Sequence, residues 1–116
     1  MATYKDSQKQ ESRLAKQLGG TRNSGSGNGW IRKSDIRSDD LLVEAKITSG
    51  KSFSIKDDEL IKNISYAIVD GRMPIFLVEF KTTGNSYVIL TEDDFLDLRE
   101  RAQSGHEITD NISKMV

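Results

Sequence analysis

The chain has 116 residues, a length that corresponds to one domain with a core of its own. It contains no cysteine, which excludes a disulfide framework, a cysteine-ligated zinc site and a cysteine nucleophile. Its 35% hydrophobic and 30% charged residues are typical of a polar globular protein. No apolar run is long enough for a bilayer, and the N-terminal segment has no hydrophobic stretch. We therefore expect a single cytoplasmic domain, 1–116, with loose tails at 1–4 and about 104–116.

The net charge of −1 hides an uneven distribution of charge along the chain. Residues 1–56 contain eleven Lys/Arg and six Asp/Glu, whereas residues 57–116 contain six Lys/Arg and twelve Asp/Glu. A basic first half permits a polyanionic partner such as a nucleic acid, because phosphate contacts dominate such binding. Ordinary variation in surface charge explains the same distribution equally well.

The first predicted element is a helix over residues 5–18. Leu14, Ala15 and Leu18 fall on one face at helical spacing, and Glu11 shares that face. Glycine then ends the helix at positions 19 and 20. The stretch 19–29 holds five of the nine glycines together with short polar residues, which predicts a flexible loop.

Period-two patterns predict strands over 30–37 and 41–48, and a short third strand over 52–55. Asp57 or Asp58 is expected to cap a second helix that ends at Gly71. The inner stripe of that helix is predicted to consist of apolar residues at helical spacing, namely Leu60, Ile61, Ile64, Ala67 and Ile68.

Two further strands are predicted over 74–80 and 86–90, joined by a turn at Gly84-Asn85. Thr91 is expected to cap a last helix over 92–101 that turns Phe95 and Leu98 inward. The resulting order of elements predicts an α/β fold with a mixed central sheet flanked by helices.

An acidic cluster marks the first hairpin. If Asp39-Asp40 forms its two-residue tip, Asp35 lies opposite Glu44, and Lys46 shares the same face. Two facing carboxylates need a shared proton or a cation between them, and a hard divalent ion such as Mg²⁺ suits them. A neighbouring ammonium can orient water or stabilise charge on a phosphate. The alternative is an ordinary salt bridge at a sheet surface.

The combination of motifs resembles the PD-(D/E)XK nuclease superfamily, and within it the small Holliday junction resolvases of archaeal and phage type. The motifs are a helix with Glu11, the loop segment Arg22-Asn23-Ser24-Gly25-Ser26-Gly27, the strand Ser34-Asp35-Ile36, and Glu44-Ala45-Lys46. The resemblance covers about residues 8–80. Serine stands where the family name has proline, and alanine stands between the glutamate and the lysine. Asp39 and Asp40 remain competitors of Asp35.

The resemblance implies a restriction-endonuclease-like αβββαβ core and a metal-dependent, structure-selective endodeoxyribonuclease that resolves Holliday junctions as a homodimer. The implied Mg²⁺ (or Mn²⁺) ligands are Asp35, Glu44, the Ala45 carbonyl and, through water, Glu11. Lys46 would position the attacking water. Implied DNA contacts are Arg22, Ser24 and Ser26, with the nearby basic residues Lys9, Arg13, Arg32 and Lys33.

Two alternatives stay open: another nuclease of the superfamily (nicking, flap or repair), and a non-catalytic nucleic-acid-binding module. No GxxxxGK[ST] motif is present, so no nucleotide cofactor is expected, and no membrane partner is expected. Ser54, Lys56 and Lys62 are weaker candidates for contacts with the site or the DNA. His106, the single histidine, is not expected to be catalytic.

Overall fold

The computed structural model describes residues 2–22 and 35–115, without the side chains of Asp35 and of residues 106–115. Helix α1 spans Tyr4–Leu18, as the sequence predicts to within one residue. It begins with a capping box, because the Thr3 side chain accepts the Asp6 N–H while the Asp6 carboxylate accepts the Thr3 N–H. It ends at Gly19, whose φ of 65° lies in the left-handed region that glycine tolerates.

A five-stranded mixed sheet forms the centre of the fold. Its strands lie side by side in chain order: β1 (Thr21–Arg22), β2 (Asp35–Arg37), β3 (Leu41–Thr48), β4 (Met73–Phe80) and β5 (Asn85–Ile89). Only β3 and β4 are parallel, and helix α2 (Asp57–Asp70) connects them. Helix α3 (Glu92–Met115) follows β5. The predicted α/β class with a mixed sheet and flanking helices is confirmed.

Both faces of the sheet are covered. On one face, Leu14 of α1 packs into the main core cluster, whose other buried members are Ile36, Val43, Ala45, Ile75 and Leu77. On the other face, α2 buries Ala67, and its Asn63 Nδ2 donates to the carbonyl of Ile75 at 3.1 Å. Among the described residues no helix combines the length and the apolar character that crossing a membrane requires.

Three strands precede α2, as predicted, but they are not the same three segments of the chain that the sequence predicts. Residues 52–56 form no strand, because β3 already has β2 and β4 as neighbours and leaves no free edge. Phe53 instead packs against Phe76, with ring centroids 6.3 Å apart. The outermost strand is the two-residue β1, in the stretch predicted as loop. Gly20 permits that strand to form, since a Cβ there would lie 2.3 Å from the Arg37 carbonyl oxygen.

Helix α2 ends at Gly71 as predicted, but its cap and its inner face differ. The N-cap is Lys56, with no side-chain hydrogen bond, and the acidic residues Asp57 and Asp58 occupy the first turn, where the helix dipole favours them. Ile61 and Ile68 are exposed at 51% and 70%. The helix faces the sheet through Leu60, Ile64 and Ala67, as predicted, and through Asn63 in place of Ile61 and Ile68.

Helix α3 is longer and more exposed than predicted. Thr91 caps it as expected, through a hydrogen bond from the Asp94 N–H to Thr91 Oγ1 at 3.1 Å. The helix does not end near Arg101 as predicted but continues to Met115, through a stretch that contains no proline to interrupt it. Phe95 and Leu98 do not turn inward; they are 54% and 41% exposed, since α3 has only marginal contact with the described sheet and helices.

Candidate functional site

The β2–β3 hairpin has the register that the acidic cluster requires. Asp35 is paired directly with Glu44, and the turn closes with the Ser38 N–H donating to the Leu41 carbonyl at 3.0 Å. Asp40 lies in the hairpin tip, where its carboxylate accepts the Ser38 hydroxyl at 2.8 Å. Asp35 rather than Asp39 or Asp40 is therefore the aspartate across the sheet from Glu44; its side chain lies outside the described residues.

Glu44 and Lys46 form a close pair on one strand. Glu44 is only 8% exposed, and its Oε1 lies 3.6 Å from Lys46 Nζ. The Lys46 side chain is 38% exposed, so the ammonium reaches solvent while the carboxylate is largely enclosed. This distance fits a salt bridge as well as an ammonium that lines an active site. The pair alone does not decide between the two interpretations.

The face that carries Glu44 and Lys46 is the one that α2 covers. Glu44 is paired with Phe76 and Lys46 with Val78, and both of these β4 residues are buried. Neighbouring residues in register share a sheet face. The Glu44 carboxylate thus lies beside apolar side chains, and the Lys46 ammonium at 3.6 Å supplies the positive charge that an ionised group needs in such an environment.

Glu11 lies on the other side of the sheet. It is 6% exposed on the α1 face that also carries Leu14, as predicted, and α1 packs against the Val43 and Ala45 face. Burial raises the pKa of the Glu11 carboxyl above its usual value, and the nearby positive charge of Arg22 partly opposes that rise. The described contacts do not bring Glu11 to Glu44 or Lys46, so its place in one pocket with them stays a prediction.

Sequence reasoning missed Gln10. This residue is 3% exposed, and its Nε2 donates to the backbone carbonyl of Lys46 at 2.7 Å, which joins α1 to the strand of the candidate site. The missed signal is spacing: Gln10, Leu14 and Leu18 recur every four residues and therefore share one helix face. A search that counted only apolar residues passed over the glutamine.

A basic depression lies on the outer side of α1. Its volume is about 570 Å³, and its lining residues are Lys5, Gln8, Lys9, Ser12 and Arg22. Arg22 Nη1 donates to Ser12 Oγ at 3.0 Å, which holds the guanidinium beside the helix. Lys9 and Arg22 were predicted DNA contacts, and Lys5 was not.

Arg13 points elsewhere. Its guanidinium forms a 2.9 Å ion pair with Glu79 of β4 and also donates to Gln17 at 3.1 Å. An arginine that a carboxylate already neutralises offers less positive charge to a phosphate. We therefore expect Arg13 to contribute less to DNA binding than Arg22.

Several predicted site residues lie outside the described residues, namely Ser24, Ser26, Arg32 and Lys33. Of the weaker candidates, Ser54, Lys56 and Lys62 are all exposed on the segment before α2 or on α2 itself. The backbone of Ala45, whose carbonyl was predicted to bind metal, lies in β3 between Glu44 and Lys46, while its side chain is buried in the core.

The donors available for a metal are carboxylate and carbonyl oxygens, which are the ligands that Mg²⁺ and Mn²⁺ prefer. Among the described side chains, no three His, Asp or Glu form a group that could hold a metal ion. The fit therefore depends on Glu44, whose enclosed carboxylate has the Lys46 ammonium 3.6 Å away, and on Asp35, the residue paired with it in the sheet. In that respect the residues fit a hard divalent ion.

Comparisons of this chain with protein-family models, with curated proteins and with solved structures found no match.

Proposed function

We propose that the chain is a metal-dependent, structure-selective endodeoxyribonuclease that hydrolyses phosphodiester bonds, with Holliday junctions as its preferred substrate. The observation that supports this most is the pairing of Asp35 with Glu44 in a strand that presents Lys46 two residues later. The finer assignment of the α/β fold to a restriction-endonuclease-like core belongs to the same proposal.

In this proposal Asp35, Glu44 and the Ala45 carbonyl would hold Mg²⁺, with Mn²⁺ as a substitute. Glu11, on the α1 side of the sheet, is not part of this ligand set. The bound ion supplies Lewis-acid stabilisation of charge on the phosphate. Lys46 holds the attacking water or a phosphate oxygen with its ammonium, which the Glu44 carboxylate keeps in place from 3.6 Å. The apolar neighbours of Glu44 strengthen these electrostatic interactions because they exclude water.

The basic depression supports nucleic-acid binding. Lys5, Lys9 and Arg22 offer cations on one surface of α1 and β1, suited to contact successive phosphates. Contacts of this kind carry no base information, so selectivity would come from the shape of the DNA. A junction has two symmetric strands to cut, and a two-fold homodimer would present two sites to them.

Two other functions remain as alternatives. Another nuclease of the same superfamily, acting on nicks, flaps or repair intermediates, would use the same site. A non-catalytic nucleic-acid-binding module would need only the basic depression, and the salt-bridge interpretation of Glu44 and Lys46 favours it. An enclosed carboxylate at Glu44, paired in register with Asp35, is more than such a module requires.

A panel of DNA structures tests the proposal. Four-way, flap, nicked and linear duplexes of shared sequence would be incubated with the full chain in Mg²⁺, in Mn²⁺ and in EDTA. We expect symmetric cleavage of the four-way junction that requires the metal. Preferential cleavage of another structure would favour the related nucleases, and binding without cleavage of any structure would favour the non-catalytic module.

A further inference from the structure

Gln10 makes the one described side-chain hydrogen bond from α1 to the backbone of β3. Its Nε2 donates to the Lys46 carbonyl at 2.7 Å across 36 residues of sequence. The other described contacts of α1 with β3, β4 and the turn after β4 are the apolar contacts of the Leu14 cluster and the ion pairs Arg13–Glu79 and Asp6–Lys81, neither of which involves β3. Apolar packing tolerates sliding, whereas a hydrogen bond fixes two atoms. Gln10 therefore sets the position of α1 along β3.

The second polar atom of this side chain has no partner. Gln10 Oε1 is buried and accepts no hydrogen bond from the described residues. A buried acceptor that lost its water and gained no donor costs free energy of folding. A methionine would fill a similar volume without that cost, but it would take away the donor that the Lys46 carbonyl has in Gln10. The described hydrogen bond of the amide is the one that it donates to the Lys46 carbonyl.

We propose that Gln10 is a positioning residue for Lys46. It holds the Lys46 carbonyl from the α1 side of the sheet, so that the Lys46 side chain leaves from the opposite face with its ammonium at a fixed distance from the Glu44 carboxylate. This inference rests on the proposed nuclease function, in which Lys46 acts on the water or the phosphate. Gln10 itself touches neither.

The physical link is the peptide group. The described pairing of β3 with β2 ends at Glu44, and Lys46 lies two residues further along β3. Gln10 therefore contacts β3 just beyond the part that β2 supports. Small displacements of a positioned group lower reaction rates steeply, by about 100-fold for an error near 1 Å. Binding of DNA through the outer surface of α1 does not depend on this bond.

The test compares Gln10→Met with Gln17→Met in the full chain. Gln17 lies on the same helix but is exposed and bonds only Arg13 among the described contacts, so it is a matched control. We expect Gln10→Met to lower the single-turnover rate of junction cleavage about 10- to 100-fold, with junction binding unchanged within about twofold. Gln17→Met should match the wild type in both. Gln10→Asn keeps the amide on a shorter side chain and should also lower the cleavage rate. It takes the place of Gln10→Met in the test if Gln10→Met does not fold.

A nuclear magnetic resonance measurement separates the failure of this inference from the failure of the proposed function. The nitrogen shift of the Ile47 amide, which shares a peptide group with the Lys46 carbonyl, should change in Gln10→Met and not in Gln17→Met. A shifted Ile47 signal with wild-type cleavage would overturn the positioning role alone. An unshifted signal would overturn the hydrogen bond on which it depends. A wild type that cleaves no DNA would overturn the proposed function, and the positioning role with it.

Discussion

The nuclease and salt-bridge interpretations predict different effects on DNA cleavage when Glu44 or Lys46 is substituted. Glu44→Gln keeps the size of the side chain but removes a metal-binding charge, so the variant should fold, bind junction DNA and cleave at no practical rate. Lys46→Ala should lower cleavage about 100-fold or more, the usual effect of losing a positioned electrostatic or acid–base group. Cleavage assays and filter binding on the same junction would measure both effects.

The exposed Glu100→Gln on α3 is the control for this pair, and it should behave as the wild type. In the salt-bridge interpretation, both Glu44→Gln and Lys46→Ala would cleave normally. They would lose stability instead, and Lys46→Ala would lose more than Glu44→Gln, because it removes the ammonium beside an enclosed carboxylate. Wild-type cleavage by both variants would therefore remove these residues from the site.

Glu11 allows stability and activity to be separated. Burial raises the pKa of its carboxyl, so the ionised form is less favourable in the folded than in the unfolded chain. Stability is then lost as pH rises above the unfolded value of 4.5, and Glu11→Gln should melt at a higher temperature than the wild type at neutral pH. The difference should vanish below pH 4.5.

The same variant tests the catalytic role of Glu11. If this carboxylate belongs to the site, Glu11→Gln gains stability and loses cleavage, the exchange expected at functional positions. A variant that melts higher and cleaves normally would leave Glu11 as a buried carboxylate with no part in the reaction. A lower melting temperature at neutral pH would contradict burial as the main cause of the raised pKa.

At the scale of elements, the basic surface of α1 and β1 predicts how DNA binding responds to salt. Each lost phosphate contact lowers the slope of log affinity against log salt by about one. Arg22→Ala should show this loss, because its guanidinium lines the basic depression. Arg13→Ala should change the slope much less, since Glu79 already neutralises Arg13. Equal slopes for the wild type and Arg22→Ala would exclude a phosphate contact at Arg22.

The start of α1 has a pH dependence of the opposite sign. A hydrogen bond from the Lys81 ammonium at 2.9 Å, and another from the Thr3 N–H, lower the pKa of Asp6 from 3.8 to about 2. This stabilisation is complete above pH 3.8 and is lost as pH falls toward 2. Asp6→Asn should be less stable than the wild type at neutral pH, and the difference should shrink between those two values.

Urea unfolding across that pH range would measure the effect on the two proteins. Asp39→Asn is the matched control, because Asp39 is an exposed aspartate at the hairpin tip. It should differ little from the wild type at every pH. A gap between Asp6→Asn and the wild type that stayed constant down to pH 2 would contradict the ionised bond to Lys81.

The elements that sequence could predict are those whose signals are local. The alternation of Val43, Ala45 and Ile47 with Glu44 and Lys46 predicts β3, and the turn at Asp39-Asp40 predicts the Asp35–Glu44 register. The glycines after α1 and α2 correctly predict where those two helices end. Contacts between distant residues are not readable this way. Asn63 can be buried because its side chain donates a hydrogen bond to the Ile75 carbonyl, and Gln10 because its side chain donates one to the Lys46 carbonyl. For the same reason, counting apolar residues on α2 correctly predicts Leu60, Ile64 and Ala67 but adds the exposed Ile61 and Ile68 and omits Asn63.

At the scale of the whole molecule, exposed apolar side chains occur on α2, which carries Ile61, Tyr66, Ile68 and Val69, and on β5 and α3. Tyr87 and Val88 of the edge strand β5 are each 54% exposed, and α3 adds Phe95, Leu96 and Leu98. Apolar groups on an edge strand commonly meet another chain. The homodimer belongs to the proposed function, and β5 is one of the two edge strands of the sheet that a second chain could meet.

The homodimer has a direct test in mass. Light scattering at micromolar concentration should give about 26 kDa, twice the 13.0 kDa of one chain. Elution volume alone would mislead, because the radius of gyration of one chain, 16.6 Å, exceeds the value of about 13 Å for a compact domain of this size. A mass of one chain would count strongly against the junction interpretation.

The single parallel pairing in the sheet has a consequence for folding. The hairpins β2–β3 and β4–β5 each join neighbouring segments, whereas the β3–β4 pairing brings Leu41 beside Met73 only after α2 has crossed over. Pairings between distant segments form slowly, because chain entropy must be lost before the contacts are gained. The two hairpins can thus form early and the joining step late. Since Glu44 packs beside Phe76 only after that step, a half-folded chain would have the Asp35–Glu44 register without the enclosed carboxylate.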